Sequence, residues 1–126
     1  AGTLMGIAKS FKNKGIEAKI VALEPASSPI ISKGIKGAHN VEGVGLGFIP
    51  AIYNPKYVDD VIAIEESLAR QTCKELASKE GIFCGTSSGM NVAGAIKLSE
   101  VLGPKSRVVA VACDTGLKYL SEGLFY

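Results

Sequence analysis

Three short segments of the sequence hold residues whose types and spacing suit the binding of a small anionic or aromatic ligand. The first is AGT at residues 1–3, directly before a stretch with helical periodicity. Free backbone N–H groups at a helix N-terminus bind anions such as phosphate, and Thr3 adds a hydroxyl donor. The stretch is neither a Walker loop nor GxGxxG. An ordinary helix cap would give the same spacing, so both interpretations stay open.

The second segment is GTSSGMN at residues 85–91, another turn of small residues that leads into a helix. Ser87 or Ser88 would cap that helix in the simplest interpretation. In the functional interpretation, one hydroxyl points into a pocket and meets the ring nitrogen or the phosphate of a ligand. The sequence pattern alone does not decide between the two.

The third segment is VEGVGLGFIP at residues 41–50, in which Gly43, Gly45 and Gly47 alternate with other residues. Alternating glycines do not build a strand with a packed face, but they suit a backbone that lies against a flat ligand. A flexible surface loop is the alternative. The apolar residues of the segment favour a packed loop instead; they are Val41, Val44, Leu46, Phe48 and Ile49.

Outside the three segments, few residues are arranged for catalysis, metal binding or disulfide formation. Asp114 and the single histidine, His39, have no evident partner and are predicted to be structural or surface residues. The three cysteines Cys73, Cys84 and Cys113 form no CxxC pair, which excludes a zinc site and a disulfide framework. Each lies among apolar residues, so all three are predicted to be buried thiols in a reducing compartment. None of the twelve lysines stands in a setting that marks a Schiff-base nucleophile.

Helices and strands alternate along the chain and must position the three segments. This alternation predicts an α/β fold with a mainly parallel sheet in three layers, helices covering both faces. Val92, Ala95, Ile96 and Leu102 are predicted to face inward from the last long helix. The predicted helices span 3–14, 66–79 and 88–102, with a short one near the C-terminus; the predicted strands span 18–25, 58–64, 81–85 and 106–113.

Length and composition set further limits. The 126 residues suit one domain, and the net charge of +2 comes from scattered basic residues, which argues against a nucleic-acid partner. No segment has the length of a membrane helix or the pattern of a signal peptide, so a cytoplasmic protein without membrane contact is predicted. An α/β domain seldom opens on a glycine turn with no strand before it. We therefore expect an N-terminal part of the protein that is absent from this chain.

Taken together, the segments resemble a known family. GTLMG, EPASSPI, VEGVGLGFIP, KEGIFCGTSSGMN and DTGLKYLSEGLF follow in the order found in the C-terminal part of cysteine synthase (O-acetylserine sulfhydrylase), a pyridoxal-phosphate enzyme of the tryptophan-synthase-β type. The resemblance covers residues 1–126. GFIP and the YLS..LF ending favour cysteine synthase over threonine dehydratase, and over cystathionine β-synthase, which shares the serine-glycine turn.

The resemblance implies roles for five residues. Ala1, Gly2 and Thr3 match the last three positions of the family's phosphate loop, Gly-Thr-Gly-Gly-Thr. Ser87 matches the serine that bonds the pyridine nitrogen, and Gly43 the first glycine of the family's GIGAGFIP, near the cofactor and the substrate amine. A neutral hydroxyl at the ring nitrogen leaves the ring unprotonated, which suits β-elimination and replacement. No catalytic residue is implied within this chain.

Departures from the family pattern are also present. Ala1 replaces a Gly, Glu42 a Gln, Leu46 an Ala and Leu117 a Glu. The Schiff-base lysine, the substrate-binding Asn and the Ser/Thr-Gly-Asn loop of the family have no counterpart. The chain is therefore expected to be the C-terminal portion of the pyridoxal-phosphate-binding large domain, inactive alone and prone to self-association without its N-terminal half.

The implied parent enzyme makes cysteine from O-acetylserine and sulfide, as a homodimer that also binds a serine acetyltransferase C-terminal tail. Three alternatives remain open. One is a cystathionine β-synthase-like or O-phosphoserine-using lyase. Another is a free-standing α/β module that binds an anion or a nucleotide. The last is a regulatory or structural domain that kept the fold and lost the chemistry.

Overall fold

Two parallel strands form the centre of the fold. The computed structural model describes all 126 residues, and in it β1 (Val21–Pro25) pairs with β2 (Asp60–Ile64). Val21 lies opposite Asp60, and Pro25 lies opposite Ile64. The pairing continues past the carboxyl ends, where the Ala26 N–H donates to the Ile64 carbonyl at 2.9 Å. Both strands therefore lead out of the sheet at the same edge, which is where ligands bind in parallel α/β folds.

The chain contains four α-helices, of which the last packs on both strands. The longest two are consecutive and pack against each other, so that they form the main helical layer. Short 3₁₀ helices lie at Pro55–Tyr57 and Gly116–Glu122. The α-helices are α1 (Gly2–Asn13), α2 (Ile30–Lys33), α3 (Glu66–Glu80) and α4 (Thr86–Leu102).

The core consists of two groups of buried side chains. The larger joins β2, α3 and α4 with residue 41 of the glycine-rich segment; its members are Val41, Ile64, Ala69, Met90 and Ala93. The smaller joins α3 with the C-terminal residues; its members are Cys73, Cys84, Tyr119 and Leu124. Each group therefore ties a segment of candidate chemistry to α3 or α4.

The α/β class with a parallel sheet is confirmed, but two of the predicted strands are absent. Within residues 81–85 only Cys84 pairs, through an isolated antiparallel bridge to Thr115. Residues 106–113 form no strand, and the Val109 side chain is 83% exposed. A strand exists only when a neighbouring strand accepts its hydrogen bonds, and the sheet of this chain contains β1 and β2 alone. An apolar run can indicate a strand but cannot supply its partner.

The buried face of α4 also differs from the prediction. Ile96 and Leu102 are about half exposed, at 50% and 49%. The first half of the helix is buried instead, through small and hydroxyl-bearing residues that include Ser88 and Gly94. A search for apolar periodicity overlooks such residues, because their burial follows from close approach to neighbours rather than from hydrophobicity.

No helix of the chain combines the length and the apolar character needed to cross a membrane.

Candidate functional site

The N-terminus of α4 is buried and has no side-chain cap. Gly85 occupies the N-cap position, and Thr86, Ser87 and Ser88 open the helix. Ser88 Oγ accepts a hydrogen bond from the Cys113 N–H at 2.8 Å, while Thr86 Oγ1 is buried without a partner. Ser87 is only 6% exposed. The capping interpretation of Ser87 and Ser88 is therefore wrong, because neither hydroxyl bonds a free N–H of the helix.

The glycine-rich segment, called here the glycine loop (residues 41–50), has a backbone that requires glycine. Gly43, Gly45 and Gly47 have φ values of +77°, +59° and +77°, in the region that other residues rarely adopt. His39 supports the turn: Nε2 donates to the Gly45 carbonyl at 2.8 Å, and Nδ1 accepts from the Val41 N–H at 3.3 Å. His39 therefore has a structural partner that the sequence pattern did not reveal.

The glycine loop is packed over its first half only, through Val41 and the half-buried Val44. Val41 is 2% exposed and contacts the core beside Met90. Leu46 and Phe48 are 60% and 59% exposed, so the prediction of a packed loop is wrong for them.

Tyr119 links the glycine loop to α4. Its buried hydroxyl donates to Asp114 Oδ2 at 2.8 Å and lies 3.4 Å from Glu42 Oε2. Burial raises the pKa of Tyr119 above its ordinary value, and the charges of Asp114 and Glu42 raise it further, so the hydroxyl keeps its proton. The ring packs against Gly85, where a Cβ atom would lie 2.3 Å from Tyr119 Cε2. Two of the three candidate segments therefore meet at this one side chain.

Residues 1–3 form a separate and open helix end. Ala1 is the N-cap of α1, no side chain caps the helix, and Ala1, Gly2 and Thr3 are all exposed. The first helical bond runs from the Met5 N–H to the Ala1 carbonyl at 2.9 Å, which leaves the N–H groups of residues 2–4 without an intrahelical acceptor. No hydrogen bond joins residues 1–3 to the glycine loop or to α4.

Besides His39, two further residues escaped the sequence reasoning. Tyr119 was not singled out at all, and Asp114 was predicted to lack a partner although it bonds Tyr119 and lies 3.7 Å from the Lys118 ammonium. The contacts join positions up to 77 residues apart, which no local pattern encodes. The structure places no group of three or more His, Cys, Asp or Glu side chains where they could hold a metal ion.

The cysteines differ from one another, contrary to the prediction that all are buried. Cys73 and Cys84 are buried, whereas Cys113 is exposed because the segment that carries it has no neighbouring strand. Burial raises the pKa of the Cys73 thiol to about 12, and the neighbouring Cys84 adds to the shift. Burial also raises the pKa of Cys84.

We expect iodoacetamide at pH 8 to alkylate Cys113 and to leave Cys73 and Cys84 unmodified in the folded chain. With a pKa of about 12, Cys73 is a thiolate in roughly one molecule in 10,000 at this pH, and the thiolate is the nucleophile. Peptide mass spectrometry identifies the modified residue, and Cys113→Ser serves as the control that removes rapid labelling. Labelling of Cys73 as fast as that of Cys113 would contradict the buried arrangement.

Comparison with known proteins decides the family. The model of the family described as "Pyridoxal-phosphate dependent enzyme" matches residues 1–114. The chain belongs to this family. Pyridoxal phosphate is the family's cofactor, and the cysteine synthase resemblance read from the sequence is confirmed at this level.

Individual relatives agree with the family match. Cysteine synthase B of Campylobacter jejuni is 42% identical over 98% of the chain and 41% of its own length. The structure of O-acetyl serine sulfhydrylase isoform 3 from Entamoeba histolytica is 34% identical, with a TM-score of 0.94 over 99% of the chain and 38% of its own. An O-acetylserine dependent cystathionine β-synthase from Helicobacter pylori is 30% identical, with a TM-score of 0.90 over 99% and 40%. The chain thus spans about two-fifths of the length of these relatives.

The site residues suit this cofactor. Ser87 presents a neutral hydroxyl at a nearly closed helix end, and the orphaned Thr86 Oγ1 beside it lacks a protein partner. At Gly43 the space around a Cβ position is open, which leaves room for a flat ring against the backbone. The free N–H groups at the start of α1 are donors of the kind that a phosphate accepts.

Proposed function

We propose that this chain is the C-terminal portion of the pyridoxal-phosphate-binding large domain of a cysteine synthase. The whole enzyme makes cysteine from O-acetylserine and sulfide by β-elimination and β-replacement. The observation that carries the proposal is the buried, uncapped N-terminus of α4, which contains Ser87 and is linked to the glycine loop by Tyr119. Similarity to cysteine synthases over 98% of the chain supports it.

Each site residue has a defined task in this proposal. The backbone N–H groups of Gly2 and Thr3 and the Thr3 hydroxyl bind the phosphate, and Ala1 keeps a backbone donor where the family has Gly. The Ser87 hydroxyl holds the ring nitrogen without a charge. The Gly43 backbone would lie along the ring and the substrate amine, and its φ of +77° favours glycine at this position.

When bound, pyridoxal phosphate supplies an electron sink for the substrate's α-carbon. The neutral Ser87 moderates that sink, since a hydroxyl does not protonate the ring as a carboxylic acid would. The chain holds no counterpart of the family's Schiff-base lysine, so the proton transfers fall to that lysine in the remaining part of the enzyme. The chain alone is accordingly inactive.

A second candidate is a cystathionine β-synthase-like activity. The Helicobacter pylori structure favours it, because that enzyme is O-acetylserine dependent and shares the fold at 30% identity. The two activities differ in the nucleophile that replaces acetate: sulfide gives cysteine, and homocysteine gives cystathionine. Turnover of the full-length protein with each nucleophile, and with O-phosphoserine in place of O-acetylserine, separates these activities. A full-length protein without the lysine would instead favour a non-catalytic module.

We expect Ser87→Ala in the full-length protein to lower the rate of cysteine formation by about tenfold or more, because one hydrogen bond to the ring is lost. Ser78→Ala is the matched control: Ser78 is exposed on α3 and bonds only carbonyl groups of its own helix, those of Lys74 and Glu75. The absorption spectrum of the bound cofactor provides a second measurement, and it should shift in the Ser87 variant alone. Equal rates and spectra for the two variants would contradict the assigned role of Ser87.

A further inference from the structure

The glycine loop has one hydrogen bond to a distant part of the chain. Residues just before it are anchored on α3, where the Asn40 N–H donates to Glu66 Oε2 at 2.8 Å. Val41 and Val44 pack against the core on either side of Gly43, and the His39–Gly45 bond is local to the loop and its approach. The Tyr119 contact with Glu42 alone reaches across to the C-terminal segment. On the side of the C-terminal segment, the glycine loop around Gly43 is therefore held through Tyr119.

Tyr119 is itself held firmly. Its side chain is 1% exposed, and it packs with Cys84 and Leu124. The Gly85 N–H, at the N-cap of α4, donates to the backbone carbonyl of Asp114 at 3.3 Å. Asp114 therefore fastens the start of α4 through its backbone and the Tyr119 hydroxyl through its side chain.

We propose that Tyr119 is a positioning residue that holds the glycine loop in place beside the N-terminus of α4, through its contacts with Asp114 and Glu42. This inference rests on the proposed cofactor site, since the two parts that it aligns are those of Gly43 and Ser87. Tyr119 touches neither the cofactor nor the substrate in this role. It sets the distance between the groups that do.

The Tyr119 hydroxyl lies between two carboxylates, so the position of the glycine loop on this side depends on this single group. A phenol carries a single proton, which is donated to Asp114 Oδ2 at 2.8 Å and shared weakly with Glu42 Oε2 at 3.4 Å. Without the hydroxyl, two like charges would face each other across an apolar ring. Glu42 is exposed and free to turn toward water, and its neighbour Gly43 would move with it.

The test compares Tyr119→Phe with Tyr57→Phe in the full-length protein without cofactor, by hydrogen–deuterium exchange of residues 42–49. Tyr57 is the matched control because its ring packs beneath the Lys12 ammonium at 4.9 Å and no side-chain hydrogen bond is lost with its hydroxyl. We expect exchange about tenfold faster in the glycine loop of Tyr119→Phe only. With cofactor added, the dissociation constant of pyridoxal phosphate should rise by a similar factor.

Two further variants distinguish local loosening of the glycine loop from unfolding of the whole protein. Glu42→Ala leaves the buried Tyr119–Asp114 bond intact and should loosen the same residues. Adding Glu42→Gln to Tyr119→Phe removes the repulsion and supplies an amide donor, so it should restore slow exchange in the loop. Unchanged exchange in Tyr119→Phe and Glu42→Ala, or uniform acceleration without rescue, would overturn the inference. A wild-type protein that binds no pyridoxal phosphate would refute the proposed function, while the exchange data would still decide the role of Tyr119.

Discussion

Gly89→Ala is expected to destabilise the protein by about 2 kcal/mol, even though alanine is the better helix former. Gly89 lies in the first turn-and-a-half of α4, where α4 crosses α3 at very short distance. A Cβ atom there would lie 2.2 Å from the Ala69 carbonyl oxygen and 2.5 Å from Cys73 Sγ. The carbonyl belongs to the backbone of α3 and cannot rotate away, so the two helices must separate.

Two other helical glycines provide a graded control. Gly6 lies on α1 with nothing within 4 Å of its Cβ position, so Gly6→Ala should stabilise the protein by about 0.5–1 kcal/mol. At Gly94 the Cβ position is 2.7 Å from Leu23 Cδ1, which belongs to a side chain that can shift, so an intermediate effect is expected. Thermal unfolding measures all three, and a loss of 2 kcal/mol corresponds to a fall in Tm of about 10 °C. A Tm for Gly89→Ala at or above that of Gly6→Ala would refute the close helix contact.

The same substitution has a consequence for the site. Gly89 follows Ser87 and Ser88 by one or two residues, so separation of the helices displaces both hydroxyls. In the full-length protein, Gly89→Ala should therefore weaken binding of pyridoxal phosphate, whereas Gly6→Ala, which lies within the first two turns of α1 on its exposed side, tests the effect of added helix propensity alone.

The long helices could be predicted from the sequence because their periodicity is local. The predicted ranges 66–79 and 88–102 correspond to α3 and α4 within two residues at each end. The absence of a strand at 106–113 could not be predicted from the sequence, since hydrogen-bonding partners decide whether an apolar run becomes a strand. Local pattern thus identified helices, but it overestimated the sheet of this chain.

The candidate site shows the same division. The motif resemblance placed Ser87 at the start of a helix and Gly43 in a special loop, and the structure finds the first buried and the second at positive φ. The motif resemblance gave no role to Tyr119, because the contacts of this tyrosine with residues 42 and 114 depend on how the segments pack. The proposed binding residues carry recognisable motifs, whereas the residue proposed to align them is visible only in three dimensions.

Glu24→Ala is expected to destabilise the protein by about 3 kcal/mol, because it leaves three hydrogen-bond donors without their charged acceptor. Glu24 lies in β1 and is 3% exposed. Its carboxylate accepts from the Ile31 N–H at 2.7 Å, from the Ser32 N–H at 3.2 Å and from the Ser32 hydroxyl. These are free groups of the first turn of α2, where a negative charge is also favourable.

The predicted effect of Glu24 extends to the path that leads into the glycine loop. α2 ends at Lys33, its C-cap Gly34 has the left-handed conformation, and the following residues run directly to His39 and Asn40. Loss of the α2 cap should therefore increase hydrogen exchange at residues 31 and 32 first, and then along 35–40. Glu24→Gln keeps an oxygen acceptor but loses the charge, so its destabilisation should be smaller than that of alanine.

Tyr53 gives an independent measurement of the Glu24 charge. Burial raises the pKa of Tyr53, and the Glu24 carboxylate raises it further. Glu24→Gln should therefore lower the pKa of Tyr53 toward its ordinary value, as followed by phenolate absorbance, whereas Glu100→Gln on the exposed end of α4 should leave it unchanged. If Glu24→Gln lowered stability but left the pKa of Tyr53 unchanged, the Glu24 carboxylate would not lie at the start of α2. Another residue would then have to hold the segment that joins β1 to the glycine loop.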